Sequence, residues 1–302
     1  MTAYQSIQEN LVEIGISISG ENDGSFDSGD EIIFYSNGPS GYNVSSGTVI
    51  FKQNLYFTQN TYYLLIPNDN SQRGQRVADV AIPENITLSI DYGLCYVHQE
   101  IDMINPAHSG LGWASSPISH NGTYSLNINI PTPETTIDAG ITMGFLGGEL
   151  TPTSYHNTNH KIYCYYKTVE IGLHRAYASW SSIGSHAANF IISGSELSNG
   201  SNLFYAVNSS SNSNSQPYFD FINLQYGRHL SVNDSYDFYS PVLGTKVRFV
   251  LDDAPSSSTH VWDISDAINP KSMILEGNSD LTTFDTQTLF ASPSHFVVFQ
   301  SD

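Results

Sequence analysis

Apolar residues in this 302-residue chain recur at every second position or in short bounded runs, and almost never at the three- and four-residue spacing of an amphipathic helix. Residues 124–130 show the pattern most cleanly: Leu126, Ile128 and Ile130 alternate with Ser125, Asn127 and Asn129. Side chains on a strand point to opposite faces in turn, so this alternation predicts one buried and one solvated face. By the same reading a first strand begins with Leu11, Ile14, Ile16 and Ile18, and others fall at 32–35, 48–55, 61–67, 86–98, 141–146, 161–169, 189–192, 203–208, 218–226, 246–251 and 295–300. Strands without helices between them predict an all-β fold.

The strands before Pro83 are short, and those after it are longer and joined by wider loops. The division expected is a small N-terminal antiparallel β-domain over residues 1–82, then a larger, jelly-roll-like β-sandwich over 83–302. The polar run Ser209 to Ser215 is expected to be a mobile hairpin tip.

Charge narrows the possible partners. Ten Lys and Arg stand against 29 Asp and Glu, a net charge of −19, and no basic cluster is present to neutralise a phosphate backbone. Nucleic acid is thereby excluded. Only 13% of residues are charged, so solubility rests on uncharged groups, among them 42 Ser and 25 Asn. That composition suits an extracytoplasmic protein, secreted or held at an outer-membrane surface. The 19 Tyr and 15 Phe supply enough apolar surface for real cores. No window approaches the length of an apolar membrane-spanning helix, and residues 1–10 lack the charged and apolar regions of a signal peptide. An export signal is therefore expected to be removed or to lie upstream.

Cys95 and Cys164 form no CxxC unit, which gives zinc and thioredoxin-type chemistry no support. Both sit in strand-like runs with Tyr96, Tyr163 and Tyr165 beside them, so both are expected to be buried, on neighbouring or facing strands, either bonded or as two thiols. No GxSxG elbow is present. His156 and His160 have the i, i+4 spacing of helical metal ligands, but their Asn- and Thr-rich context reads as a loop. Asp91, Glu100, Asp102, Asp220 and Asp263 lie near strands, where paired carboxylates would suit glycoside chemistry. Asp263 and Asp266 fit turn caps better. Trp113, Trp180 and Trp262 are read as core rather than as a sugar platform. The sequons at Asn43, Asn85, Asn121, Asn199, Asn208 and Asn233 are assigned no function.

One turn invites a metal. Asp23, Asp27 and Asp30, with the Asn22 side chain, place several hard oxygens between residues 22 and 30, a donor set that suits Ca²⁺. The spacing is not that of an EF-hand, and the competing reading is a turn in which the carboxylates accept backbone N–H bonds and Gly24 and Gly29 take positive φ.

Three stretches together resemble a known family. They are ENDGSFDSGDEIIFYSNGP (residues 21–39) with Asn54-Leu55-Tyr56 and the strand at 61–67; SIDYGLCYVHQEIDMINPAHSGLGW (89–113); and YFDFINLQYGRHL (218–230) with VWDISDAINP (261–270). In that order they resemble the non-catalytic region that precedes the peptidase domain in the type IX (Por) secretion-system sortases, gingipain-type cysteine peptidases of the Bacteroidota. Family members continue into a peptidase domain whose His and Cys do the chemistry, and nothing catalytic maps onto this chain. Where the family is usually basic, Ser109-Gly110-Leu111-Gly112-Trp113 carries no charge. The resemblance implies a docking or support region that is not itself an enzyme and acts through protein contacts. The alternative is a free-standing carbohydrate-binding or adhesive module facing a glycan.

Overall fold

The computed structural model describes residues 11–45, 47–66, 74–106, 112–151, 157–232, 234–255, 257–278 and 280–300. It is all β apart from two single-turn 3₁₀ segments. Contacts group it into two compact units: the first runs to Asp91 and resumes at Leu230, and the second is Tyr92–His229. This grouping differs from the 1–82 and 83–302 division. The segment from Leu230 onward, assigned by its longer strands and wider loops to the second domain, groups with the N-terminal part.

In chain order the first unit opens with β1 (Ile16–Ser19), β2 (Glu31–Phe34), β3 (Gly41–Ser45), β4 (Thr48–Lys52), β5 (Ala78–Asp79) and β6 (Leu88–Ile90). The second holds β7 (Tyr92–Glu100), β8 (Thr123–Ile130), β9 (Ala139–Leu146), β10 (Asn159–Tyr166), β11 (Ala176–Ser181), β12 (Ser185–Ile192), β13 (Gly200–Asn208) and β14 (Tyr218–His229). The first then resumes with β15 (Tyr236–Tyr239), β16 (Lys246–Asp252), β17 (Thr259–Asp263), β18 (Lys271–Ser272), β19 (Leu275–Gly277), β20 (Leu281–Gln287) and β21 (His295–Gln300).

The second unit is a sandwich of two four-stranded arrays, β12-β9-β14-β7 and β11-β10-β13-β8. The alternation read in β8 is realised: Leu126, Ile128 and Ile130 are buried while Thr123, Ser125, Asn127 and Asn129 face solvent. They meet Ile141, Met143 and Phe145 of β9, Ile162 and Cys164 of β10, Phe204 of β13 and Phe219, Ile222 and Leu224 of β14 in one core. The period of two breaks once. A register shift between Phe219 and Ile222 lets two buried side chains stand three residues apart, as a β-bulge does. The shift turns Phe221 over Gly144, where a Cβ would come within 2.4 Å of its ring. The unit closes on itself, because its terminal residues Tyr92 and His229 are register partners across β7 and β14.

Ser209 to Ser215, expected as a mobile hairpin tip, is exposed at 211–213 but anchored on either side. Ser210 and Ser215 are buried, and the Asn208 amide bonds to the carbonyls of Ile118 and Ser215 at 2.9 Å each. The Ser210 and Ser215 hydroxyls bond to each other at 2.9 Å and so satisfy their polar groups inside the protein.

In the first unit, β15-β21-β17-β18-β5 forms one array and β19-β20-β16-β6 another. Both N-terminal contributors, β5 and β6, join in parallel, to β18 and β16 respectively. Phe238, Phe249, Phe284 and Phe296 make the core, and Arg248 forks onto its cross-strand partner Asp285 with two 2.7 Å bonds. The pairs β1-β2 and β3-β4 are separate two-stranded ribbons. The run at 61–67, expected as a fourth strand, forms none over its described residues 61–66, and Pro67 lies outside them.

Candidate functional site

The N-terminal part of the first unit shows the largest departure from ordinary burial. From Gln53 to Pro67 the sequence carries no charge. Within it Leu55, Tyr56, Phe57, Tyr62, Tyr63, Leu64, Leu65 and Ile66 are all exposed, Tyr56 at 76% and Ile66 at 81%. A lone exposed leucine needs no explanation, but a contiguous apolar surface of this kind marks an interaction site. No backbone–backbone hydrogen bond joins Leu55–Ile66 to the rest of the described residues. What holds the segment is local. Asn54 accepts from the N–H groups of Tyr56 and Phe57, and Asn60 and Tyr62 both donate to the Asn37 carbonyl, at 2.8 and 2.7 Å. The Tyr62 ring also packs on Phe34. Apolar side chains and a backbone outside any sheet thus lie open together over residues 55–66.

A second concentration of polar chemistry lies in the second unit, where the bulge in β14 leaves Asp220 beside Glu100 and Asp102. Burial, then the charges of Glu100 and Asp102, raise the Asp220 carboxyl to about 6, with His98 opposing. His98 is fixed by Asn223 at 2.6 Å and Glu100 at 3.2 Å, and it stacks on Phe221. Of the carboxylates singled out in the sequence, these three are brought together, whereas Asp91 and Asp263 belong to the first unit. An unfolded chain loses this proton near the ordinary carboxylate value, and the folded chain only around 6. The stability contributed is therefore whole below about pH 4 and falls as pH rises through the folded value. Asp220→Asn is expected to stabilise the protein above neutral pH by roughly 1 kcal/mol, discounted for the group's partial exposure. It should also flatten the melting temperature between acid and neutral pH. Melts across that range check it, and an unchanged profile would show the charge to be fully solvated.

Asp23 and Asp27 are exposed and Asp30 is partly covered, and their oxygens do not converge within 4.8 Å. Asp23 Oδ1 accepts the Ser25 N–H at 2.9 Å, and Asp30 Oδ2 accepts the Asp27 N–H at 2.8 Å, while Gly24 and Gly29 adopt positive φ. The Asp23 and Asp30 carboxylates thus each accept a bond within the turn. Asp263 and Asp266 likewise accept the N–H groups of Ser265 and Ile268, as turn caps.

Cys95 on β7 and Cys164 on β10 are buried thiols on the two arrays of the second unit and form no disulfide. Burial pushes the Cys164 thiol up to about 12, away from a reactive thiolate. His160 is not a loop histidine. It is buried on β10, with Nδ1 against the Ser215 hydroxyl at 2.8 Å and its ring against Trp180. His156 lies outside the described residues. Trp262 is core, Trp180 partly covered and Trp113 exposed. Among the described residues no helix is long and apolar enough to cross a membrane.

No family model matches the chain, and no curated protein matches it in sequence. Among solved structures, dimeric latent PorU from Porphyromonas gingivalis aligns with 95% of the chain at a TM-score of 0.71 and 13% identity. This chain spans 27% of the PorU chain. A carbohydrate-binding module CBM36 in complex with calcium and xylotriose aligns with 42% of this chain and 87% of its own, at 12% identity and a TM-score of only 0.27. The CBM36-1 domain of a xylanase from the hindgut metagenome of Trinervitermes trinervoides covers 43% of this chain and 95% of its own, at 12% identity and a TM-score of 0.25. The PorU likeness is one of fold, extending over nearly the whole chain.

Proposed function

We propose that this chain is a non-catalytic, β-rich docking region of a secreted or surface-attached protein of the type IX sortase kind, acting through protein contacts. The observation that carries the reading is the uncharged apolar surface of Leu55–Ile66, whose backbone makes no sheet. Its eight large side chains amount to on the order of 800 Å² of exposed surface, about what one partner contributes to a standard interface. The PorU-like fold supports the same reading.

The test places a photo-crosslinking amino acid at Leu64 in source cells, with a control at Ile171, exposed on the second unit. Adducts are expected at Leu64 only. Leu64→Asp with Ile66→Asp should reduce recovery of the cross-linked partner at least tenfold without lowering the melting temperature, since both side chains already face solvent. Equal adducts at both positions would overturn the reading. So would turnover of a peptide or glycan that disappears on mutating a single carboxylate or Cys.

A further inference from the structure

The first unit also contains a cleft of about 510 Å³. One wall is the segment between β2 and β3 with its flanks, from Tyr35 through the Ser36-Asn37-Gly38-Pro39-Ser40 loop to Tyr42. The other is built from Asp237, Tyr239 and His295, with Ser265 and Ser292 at its margin. That volume is within the range of ligand sites.

The groups along the walls are arranged in a definite order. His295 Nε2 bonds to Asp237 Oδ2 at 2.6 Å, and the imidazole lies flat on the Tyr239 ring, with centroids 3.9 Å apart and planes at 9°. Tyr239 is buried behind it, so the imidazole is clamped between a carboxylate and an aromatic face. Asp237 keeps about half of its side chain open to solvent. The Tyr42 ring is braced edge-on by Phe51 at 5.2 Å. Tyr35 and Tyr42 are each half-buried across from Asp237. Burial, and then the charge of Asp237, raises both phenols, Tyr35 to about 12. The carboxylate is thus felt across the cleft.

Among the described residues no Lys or Arg lines the cleft. Aromatic faces carry the negative side of their quadrupole and attract cations, more strongly where water is partly excluded. A solvent-reaching carboxylate framed by tyrosine rings, in a chain of net charge −19, therefore suits a positively charged organic group better than a neutral or anionic one. Long-range attraction acts in the same direction. The Ser and Asn groups and open backbone of residues 36–40 offer hydrogen bonds to the amides flanking such a group.

We infer that this cleft binds the basic side chain, lysine or arginine, of a partner polypeptide, with the charge beside Asp237 and the aliphatic stem against Tyr35 and Tyr42. It adjoins the Leu55–Ile66 surface at Asn37, whose carbonyl accepts from Asn60 and Tyr62, but none of the eight exposed side chains of that surface lines it.

The test uses the full chain and three capped tripeptides, Ac-Gly-X-Gly-NH₂, with X lysine, arginine or norleucine, titrated by NMR and calorimetry. Lysine and arginine peptides are expected to bind at least tenfold more tightly than the norleucine peptide, which has the stem without the charge. Their affinity should fall as salt rises. Asp237→Asn, which retains an oxygen acceptor for His295, should weaken the cationic peptides at least fivefold and leave the norleucine peptide unchanged. Tyr35→Phe should preserve binding and Tyr35→Leu reduce it. The Leu64→Asp, Ile66→Asp variant should bind these peptides as the unmodified chain does, so that failure here and failure of the docking reading are distinguishable. Three outcomes would overturn the inference: equal affinity for lysine and norleucine peptides, no binding of either cationic peptide at millimolar concentration, or tighter binding of a neutral oligosaccharide such as maltotriose. The first and third require no variant to fold.

Discussion

Asn208→Ala is expected to lower the stability of the second unit by about 3 kcal/mol or more. The amide is fully buried and uses both ends. Its nitrogen donates to the carbonyls of Ile118 and Ser215, and its oxygen accepts from the Ser210 hydroxyl at 2.6 Å and the Ser210 N–H at 3.2 Å. Ser210 in turn meets Ser215, which meets His160. Truncation removes one partner from each of four bonds and leaves buried donors and acceptors behind, which costs more than never having made the bonds. Chemical denaturation measures the loss, and hydrogen exchange at residues 209–215 should rise with it. A loss under about 1 kcal/mol would mean that water enters and restores the bonds.

The second large effect is in the other unit. Phe249 is fully buried and contacts three further phenylalanines: Phe284 at 5.0 Å, Phe238 at 5.4 Å and Phe296 at 5.5 Å between centroids. Phe249→Ala removes an apolar ring and opens a cavity among rings that sit on three other strands, β15, β20 and β21. Substitutions of this kind cost about 3–5 kcal/mol, and the lost ring–ring geometry adds to it. Phe249→Leu should recover much of the loss, because it restores most of the volume. Equilibrium unfolding of both variants checks this. If Phe249→Leu is no better than Phe249→Ala, ring geometry rather than volume sets the cost.

Much of the fold is legible in the sequence wherever one side of a strand is buried. In β8 the alternation Leu126, Ile128, Ile130 names the core face directly, because a period of two leaves no other register. β14 reads less well, since the bulge between Phe219 and Ile222 breaks that period. His160 was hidden by its Asn- and Thr-rich neighbours, which lower strand propensity locally while the pairing with β11 and β13 overrides it. The apolar run 61–66 is plain in the sequence, but apolarity does not say whether a strand has a partner, and here the described residues supply none. The cleft was not legible. Tyr35 and Tyr42 line it together with Asp237 and His295, which come from the far end of the chain, and no local pattern encodes that meeting.

The pairing of Tyr92 with His229 has a consequence for the order of events during synthesis. Residues 92–229 are made before β16, β20 and β21, so Leu88 must wait for Val247 to emerge. An unstructured insert of that length would set the loop-closure entropy for the first unit. Once the insert has folded, its two ends lie side by side, and Leu230 donates to the Asp91 carbonyl at 2.8 Å. The intervening residues then act as a short clip, and a contact that is remote in sequence becomes local in effect. The first unit thereby inherits a turn from the folded insert, which delivers Asp91 and Leu230 side by side.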